Sequence, residues 1–592
     1  MFSAAYGIEA RCSGQSEAFA MPADRVVVIG AGIGGLVAAA VLARAGLDVT
    51  VVEKAARPGG KIRTVEVAGR PIDVGPTVFT MRGLMREIAG TAGFDLDAAV
   101  TLRPVETLAR HAWGPEERLD LFADPARSAD AIGDFSGAAE AKRFLAFHAE
   151  AAHVFRTLDH SFIRAEAPSR AGLVMGAGLS GLVDLARIRP FQTLWSTLTR
   201  MFEDPRLRQL FGRYATYCGS SPFSAPATLM LVAHVEMDGV WLVEGGMIRL
   251  AEAFARQAEA NGATFRYGVG AARIEAEGGN VSGVTLESGE WLAADAILFN
   301  GDVEALGAGL LGEAPVRAAP RTSPNDRSLS AVTFASVARA DGFPLARHTV
   351  FFSGGYRAEF DQIFGRSQLP EAPTVYLCAQ DRDDGGGLLS DGFASEPPPS
   401  CPAARPGIHD LGDGAVAKGS RGYPASPGMT AEARGRRSDA PDVFPERLML
   451  LVNAPPVGDV YQFGREEIAR CERNALELLD RCGLTLEFSG ETIATTPSQF
   501  AQMFPATGGA LYGPASHGSS ASFRRAVTTS RLPGLYLAGG SVHPGPGVPM
   551  AALSGWRAAT SLIRDLASTG KSRRAATPGG ISTAGARTAG TG

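Results

Sequence analysis

Two hydrophobic textures alternate along the chain. Short unbroken runs of Val, Ile, Leu and Phe at 26–29, 296–299 and 535–538 read as buried strands, as do 374–380 and 447–453. Apolar positions Phe191, Leu194, Trp195, Leu198, Met201 and Phe202 recur at helical spacing, and 251–262 is an alanine-rich helix. Between 263 and 302 apolar and polar positions alternate as in a small β meander. The sharpest pattern lies near the start, VVVIGAGIGGLVAAAVLA at 26–43. No charge interrupts it over about 18 residues, long enough to cross a membrane. Its texture changes midway, however, from β-branched residues through glycines to helix formers. That order predicts strand, turn and helix, the helix ending near Gly46 and a second strand following at 48–52 with Glu53 at its tip.

The turn carries Gly30-x-Gly32-x-x-Gly35, with Gly34 inside it, the spacing of a dinucleotide-binding fingerprint. Glycine permits a tight turn and a close backbone approach to a diphosphate, and a carboxylate at Glu53 can accept hydrogen bonds from a ribose. Glycine is abundant here (72 residues), and Gly176-x-Gly178-x-x-Gly181 repeats the spacing. That copy lacks a preceding Val/Ile-rich strand and a following second strand, so it reads as a loop. Nicotinamide and flavin cofactors share the fingerprint. Downstream, RPGGKIRT (57–64) and IDVGP (72–76) place further glycines beyond Glu53, which suits the longer path of FAD. Lys54, Gly60, Lys61 and Arg63 are candidate cofactor contacts in this stretch. Near the end, HPGPGVPMAALSGW (543–556) stiffens a loop and opens a helix at about Pro549 or Met550, with its positive dipole end offered to a ligand.

Composition narrows the class. With 592 residues, 45% hydrophobic and 20% charged, the chain has material for two or more globular domains. A net charge of -5 gives no reason to expect a nucleic-acid partner. Six scattered cysteines, without CxxC or CxH spacing, predict neither a metal site nor a disulfide framework, and suit a reducing, cytoplasmic setting. Residues 1–20 lack the pattern of a signal peptide, and Met21 directly before the first strand is a plausible start. The Gly/Pro/Ser-rich stretch 383–442 predicts a disordered insertion between two strands, and 567–592 a disordered basic tail.

WLVEGG (241–246), FPATGGALYG (504–513) and LYLAGGSVHP (535–544) complete a pattern over nearly the whole chain that resembles the phytoene-desaturase-type carotenoid desaturases, FAD enzymes of the amine-oxidase-like flavoprotein group. TYCGSSPFSAPATLM (216–230) and GGSVHPGPGVPMAALSG (539–555) are most similar to the 1-hydroxycarotenoid 3,4-desaturases, also called methoxyneurosporene or hydroxyneurosporene dehydrogenases. The resemblance implies an α/β fold, α+β overall: a Rossmann-like FAD domain with a mixed substrate domain. It implies a 1–20 extension; FAD-domain segments at 21–104, 236–310 and 501–566; a helical, membrane-associated substrate part at 105–235; and a substrate sheet at 311–500. It further implies an adenine-side backbone contact at Val269 and flavin-side contacts at Gly540, Pro549 and Met550.

The implied reaction removes hydride from C4 and a proton from C3 of an acyclic 1-hydroxy- or 1-methoxy-carotenoid. A polyene spreads the developing positive charge, so positioning and dryness matter more than a strong acid or a metal. Candidate polar residues are His543, Tyr512, Asp159 and Arg164, with His160, Glu236 and Asp238 beside them, each also open to a purely structural role. The expected partners are a carotenoid, a membrane surface touched through the 191–202 stripe, and quinone or oxygen as electron acceptor. Other readings are a phytoene or carotene desaturase, an amine oxidase, or a non-catalytic prenyl-lipid binder of the GDP-dissociation-inhibitor type.

Overall fold

The computed structural model describes residues 24–169, 171–173, 188–189, 191–389 and 445–575. The expected start at Met21, the 176–181 glycine copy and most of the expected insertion lie outside the described residues. The first strand, β1 (Arg25–Ile29), the helix α1 (Ile33–Arg44) and the strand β2 (Asp48–Glu53) follow the predicted pattern. β1 sits inside a five-stranded parallel sheet in the order Thr264–Tyr267, β2, β1, Ala296–Phe299, Leu535–Leu537. Its Val and Ile residues are covered on both faces, which is why the run carries no polar alternation.

Small residues set the close spacing of this half. α1 is buried along almost its whole length, against the helix Ile248–Ala260 and the C-terminal helix Val548–Ala575. A Cβ on Gly555 would sit 2.0 Å from the Gly34 carbonyl, and one on Gly35 would sit 2.1 Å from the Gly30 carbonyl. Both are backbone contacts that cannot give way. The expected meander is divided: Thr264–Tyr267 and Ala296–Phe299 join the parallel sheet, whereas Ala271–Glu277, Asn280–Leu286 and Trp291–Ala293 form a separate antiparallel sheet. The C-terminal helix runs to Ala575, past the expected boundary at 566.

The second half is built on an eight-stranded mixed sheet, running Thr485–Phe488, Ser330–Asp341, Glu446–Ala454, Val375–Ala379, His348–Phe351, Thr107–Ala112, Arg118–Phe122, with Ile493–Thr495 also paired to Ser330–Asp341. The stretch 107–122, expected within a helical part, forms two of its strands. The amphipathic helix Arg465–Arg481 lays Ile468, Cys471, Ala475, Leu478 and Leu479 against the sheet. Arg382 and Arg447 pair at 2.6 Å with the buried Glu446 and the half-buried Asp381, fastening the strand ends where the insertion departs.

The helices that cover the other side of this sheet correct one expectation. In the helix Leu194–Met201, Leu194 and Leu198 are fully buried, as is Phe202 after it, and Trp195 packs on Phe223 with ring centroids 4.6 Å apart. The stripe is core, because its apolar face meets Phe147, Phe211 and their neighbours. Only Phe191, outside the helix, stands out at 84% exposed. Among the described residues no helix is long and apolar enough to cross a membrane.

Candidate active site

The glycine turn is shaped by what lies opposite it. Asn300, at the end of the strand Ala296–Phe299, donates to the Gly30 carbonyl (3.3 Å) while its Oδ1 is buried without a partner. Asp302 two residues on caps Glu304 with Oδ1, leaving Oδ2 buried and unpaired. Gly32 is the N-cap of α1 and has no side chain to cap it, so the first-turn N–H groups remain available. Glu53 closes the crevice: its carboxylate accepts from Ala31 N–H (2.7 Å) and Ala55 N–H (2.8 Å). A bare helix N-terminus, a cradle of glycines and orphaned acceptors together fit a long dinucleotide such as FAD.

A cavity of about 1080 Å³ opens beside this crevice. That lies at the upper end of the roughly 300–1,000 Å³ usual for small-molecule sites, so it has room for more than one ligand group. Gly540, Pro549 and Met550 line it, with the N-terminus of the C-terminal helix. Lys61 and Arg63 reach the same wall. The Lys61 ammonium donates to the Leu511 carbonyl (2.6 Å), and Arg63 donates to Thr495 Oγ1 (3.1 Å) over the Phe500 ring. Burial lowers both their pKa values. Gly60, at φ +62°, lies so near Gly32 that a Cβ would come 3.1 Å from its Cα. Two further expected contacts, like the fingerprint glycines and Glu53, lie outside the cavity wall. Lys54 is exposed and donates to the Met503 carbonyl (2.6 Å), outside the cavity wall. Val269 already donates its N–H to the Glu53 carbonyl (2.9 Å), so an adenine contact there would fall to its carbonyl.

The four residues considered for catalysis separate in space. Tyr512 lines the cavity, and burial pushes its phenol up to about 12, so it stays neutral. Its carbonyl accepts from Arg525 (3.0 Å), whose guanidinium also reaches the Gly540 carbonyl (3.3 Å). His543 is buried and donates through Nε2 to the Phe162 carbonyl (2.9 Å) at the end of the wide helical turn Asp159–Ile163. Burial, reinforced by Arg557, holds its pKa down to about 4, and Arg557 donates to the neighbouring Ile163 carbonyl (3.0 Å). These two side chains satisfy carbonyls that the turn leaves open, and His543 itself does not line the cavity. Asp159 and Arg164 pair with each other (3.3 Å), and Arg164 continues to Glu87 (3.1 Å); neither lines the cavity. His160 is exposed beside them.

Sequence patterns did not single out Asn300, Asp302, Arg525 or Arg557. Asn300 and Asp302 left a faint signal, polar residues directly after a buried strand. Arg525 left none, since its neighbours have no periodicity. Among the described residues no cluster of His, Cys, Asp and Glu has the form of a metal site.

A parallel sheet, a glycine cradle and a helix N-terminus over a shared cavity define a flavoprotein oxidoreductase of the amine-oxidase type. The model of the family "Flavin containing amine oxidoreductase" matches residues 33–323. In fold the chain is similar to a putrescine oxidase variant (TM-score 0.52, 15% identity, covering 92% of this chain and 99% of that one). It also resembles an oxidoreductase from Methanosarcina mazei (TM-score 0.51, 14% identity, covering 91% and 100%). In sequence it is 51% identical to a hydroxyneurosporene desaturase of Rubrivivax gelatinosus, over 96% of this chain and 98% of that one. It is 41% identical to the hydroxyneurosporene desaturase of Cereibacter sphaeroides, covering 92% and 98%. A 1-hydroxycarotenoid 3,4-desaturase of a Flavobacterium species is 28% identical, covering 90% and 97%. The chain belongs to the carotenoid desaturases, FAD-dependent oxidoreductases of carotenoid biosynthesis.

Proposed function

We propose that this desaturase acts on an acyclic 1-hydroxy- or 1-methoxy-carotenoid and introduces the double bond between C3 and C4. The observation that carries this reading is the continuity of the cavity: the turn at Gly540 and the helix start at Pro549 share one space with apolar residues such as Leu158, Leu229 and Phe523. FAD bound along the glycine cradle supplies a two-electron acceptor for the hydride that leaves C4. Gly30, Gly32, Gly34, Gly35 and Glu53 would hold its diphosphate and ribose. Lys61, Arg525 and the N-terminus of the helix Val548–Ala575 give its other end positive potential.

The chain's own work is to orient and to exclude water. The apolar wall would hold a polyene with the reacting carbons at the cofactor turn, where conjugation spreads the positive charge left at C4, acidifies the adjacent C3 and lets its proton pass to solvent at the cavity mouth. Tyr512, neutral near pH 7, shapes the wall without competing for that proton. A quinone or oxygen would serve as the final electron acceptor.

Attachment to the membrane surface from the cytoplasmic side fits a lipid-dissolved substrate, and the strongly exposed Phe191 at the cavity edge is the residue that supports it. The test is a substrate panel: FAD-loaded protein is given phytoene, neurosporene and 1-hydroxyneurosporene in liposomes and the products are separated. The expected result is two-hydrogen loss from 1-hydroxyneurosporene in preference to the others. Conversion of phytoene with the hydroxylated carotenoid ignored would overturn the substrate assignment and leave the flavin desaturase intact.

A further inference from the structure

The cavity wall carries a buried cation that the flavin site does not use. Arg213 lies in the turn Arg213–Cys218, is 7% exposed, and lines the cavity together with Tyr217 and Glu236. Its Nη1 donates to the Tyr217 hydroxyl (3.1 Å). Tyr217 and Tyr214 in turn donate to the Glu236 carboxylate at 2.6 and 2.7 Å. Glu236 is therefore well supplied, whereas Arg213 is not: its Nε and Nη2 are buried with no partner. Burial alone would weaken this guanidinium, yet Tyr217 and Glu236 beside it keep its pKa above the ordinary value. His111 and His348 nearby have their pKa values lowered by burial first and by neighbouring arginines next, Arg347 at His348 and Arg213 at both, so no second cation forms beside Arg213. Two unmet donors on a permanent buried cation cost stability. At a cavity wall, such a cost is recovered when a ligand supplies the acceptor.

The chemistry of the proposed substrate decides which ligand atom that is. Tyr217 leads through Cys218 to Gly219, where a Cβ would come 2.5 Å from the Tyr512 ring. Tyr512 is tied through Arg525 to the Gly540 turn. Arg213 therefore lines the same cavity as Tyr512 and the Gly540 turn. In the proposed substrate the oxygen-bearing C1 is separated from C4 by only two carbons. That oxygen is the substrate's polar atom, so a group that reads it must be a polar side chain on the wall of the cavity that the cofactor turn also lines, and Arg213 is one.

Resting on the substrate class proposed above, we infer that Arg213, steadied by Tyr217 and Glu236, is the specificity-determining residue that donates hydrogen bonds to the C1 oxygen. Hydroxyl and methoxy oxygens both accept from a guanidinium, whereas a carotene without oxygen leaves the two donors unpaired. A site built to hydrogen-bond a substrate oxygen discriminates strongly against the analogue lacking it.

The experiment compares kcat/KM for 1-hydroxyneurosporene and neurosporene in the FAD-loaded enzyme and its variants. Arg213→Gln should lower the ratio at least tenfold, by loss on the hydroxylated substrate, with flavin content unchanged. Because that change strands Glu236 without its cation, the double variant Arg213→Met/Glu236→Gln removes both charges together and should show the same collapse. A folded, flavin-loaded variant of either kind that keeps the wild-type ratio would overturn the inference. So would an equal fall on both substrates, the mark of a structural role or of a water satisfying the donors. A wild-type enzyme with no preference for the hydroxylated carotenoid would instead defeat the substrate assignment itself.

Discussion

Around the parallel sheet the binding surface is made of backbone: the uncapped first turn of α1, the Gly540 turn and the start of the C-terminal helix. Across the cavity it is made of side chains from separate elements, among them Arg213, Glu236, Tyr376 and Leu451. The first surface needs glycines at fixed spacing and tolerates little else. The second needs volume, dryness and a few polar groups placed by tertiary packing. A flavin-binding surface made of backbone and a substrate surface made of side chains let one fold serve unlike chemistries.

The comparison breaks most severely if the substrate half is less packed than described. Leu198→Glu puts an unpaired carboxylate in a fully buried position and should cost several kcal/mol, so that the protein aggregates and loses flavin. Circular dichroism and bound-flavin absorbance would check this. A folded variant that merely stops binding liposomes would restore the membrane-facing reading of the stripe.

The glycine half makes a finer distinction. A Cβ at Gly35 meets the Gly30 carbonyl at 2.1 Å, but at Gly32 it meets only the end of the Asn300 side chain, at 2.8 Å. Gly35→Ala should therefore destabilise the fold by more than 2 kcal/mol, on the scale of severe core strain. Gly32→Val should instead fold and lose FAD, by about a hundredfold in affinity, since its methyl groups fill the space a diphosphate needs. Thermal unfolding and flavin titration separate the two, and equal stability losses would remove the distinction.

How much could be read beforehand follows the same division. The strand–turn–helix unit, Glu53 and the Gly540–Met550 segment were legible because local backbone geometry dictates residue type there. The 107–122 strands pair with each other as a hairpin, but what seats them in the sheet is the pairing of Thr107–Ala112 with His348–Phe351, remote in sequence, and they were missed. The 191–202 stripe has identical periodicity whether it meets lipid or Phe147 and Phe211, and only tertiary contacts decide. Glu236 was noticed as a candidate, but Arg213, which gives it meaning, carries no pattern of its own.

A smaller effect is expected with acid. His543 and His348 have pKa values lowered by burial to about 4 and about 3. The unfolded chain takes up protons below about pH 6.5 whereas the folded one resists until near those values. The stability they contribute is thus present above pH 6.5 and lost as pH falls toward 4, by roughly 2 kcal/mol per histidine at pH 5. Denaturant unfolding of the holoprotein between pH 7 and 5 should show it, and His543→Gln, which keeps a donor for the Phe162 carbonyl, should flatten the profile. The smallest effect is expected outside the cavity: Asp159→Asn should change stability by no more than about 1 kcal/mol, as for other partly exposed pairs, and leave kcat nearly unaltered. A large loss of kcat with flavin retained would place Asp159 back in the chemistry.

The division of labour meets its most direct test in an anaerobic single turnover. FAD-loaded enzyme is mixed with 1-hydroxyneurosporene, unlabelled or deuterated at C4, and flavin absorbance is followed as the product forms. The backbone cradle and the side-chain wall together predict that flavin bleaches in step with formation of the 3,4-double bond, and that deuterium at C4 slows bleaching several-fold. Product formed without flavin bleaching, or bleaching with no product, would contradict the account.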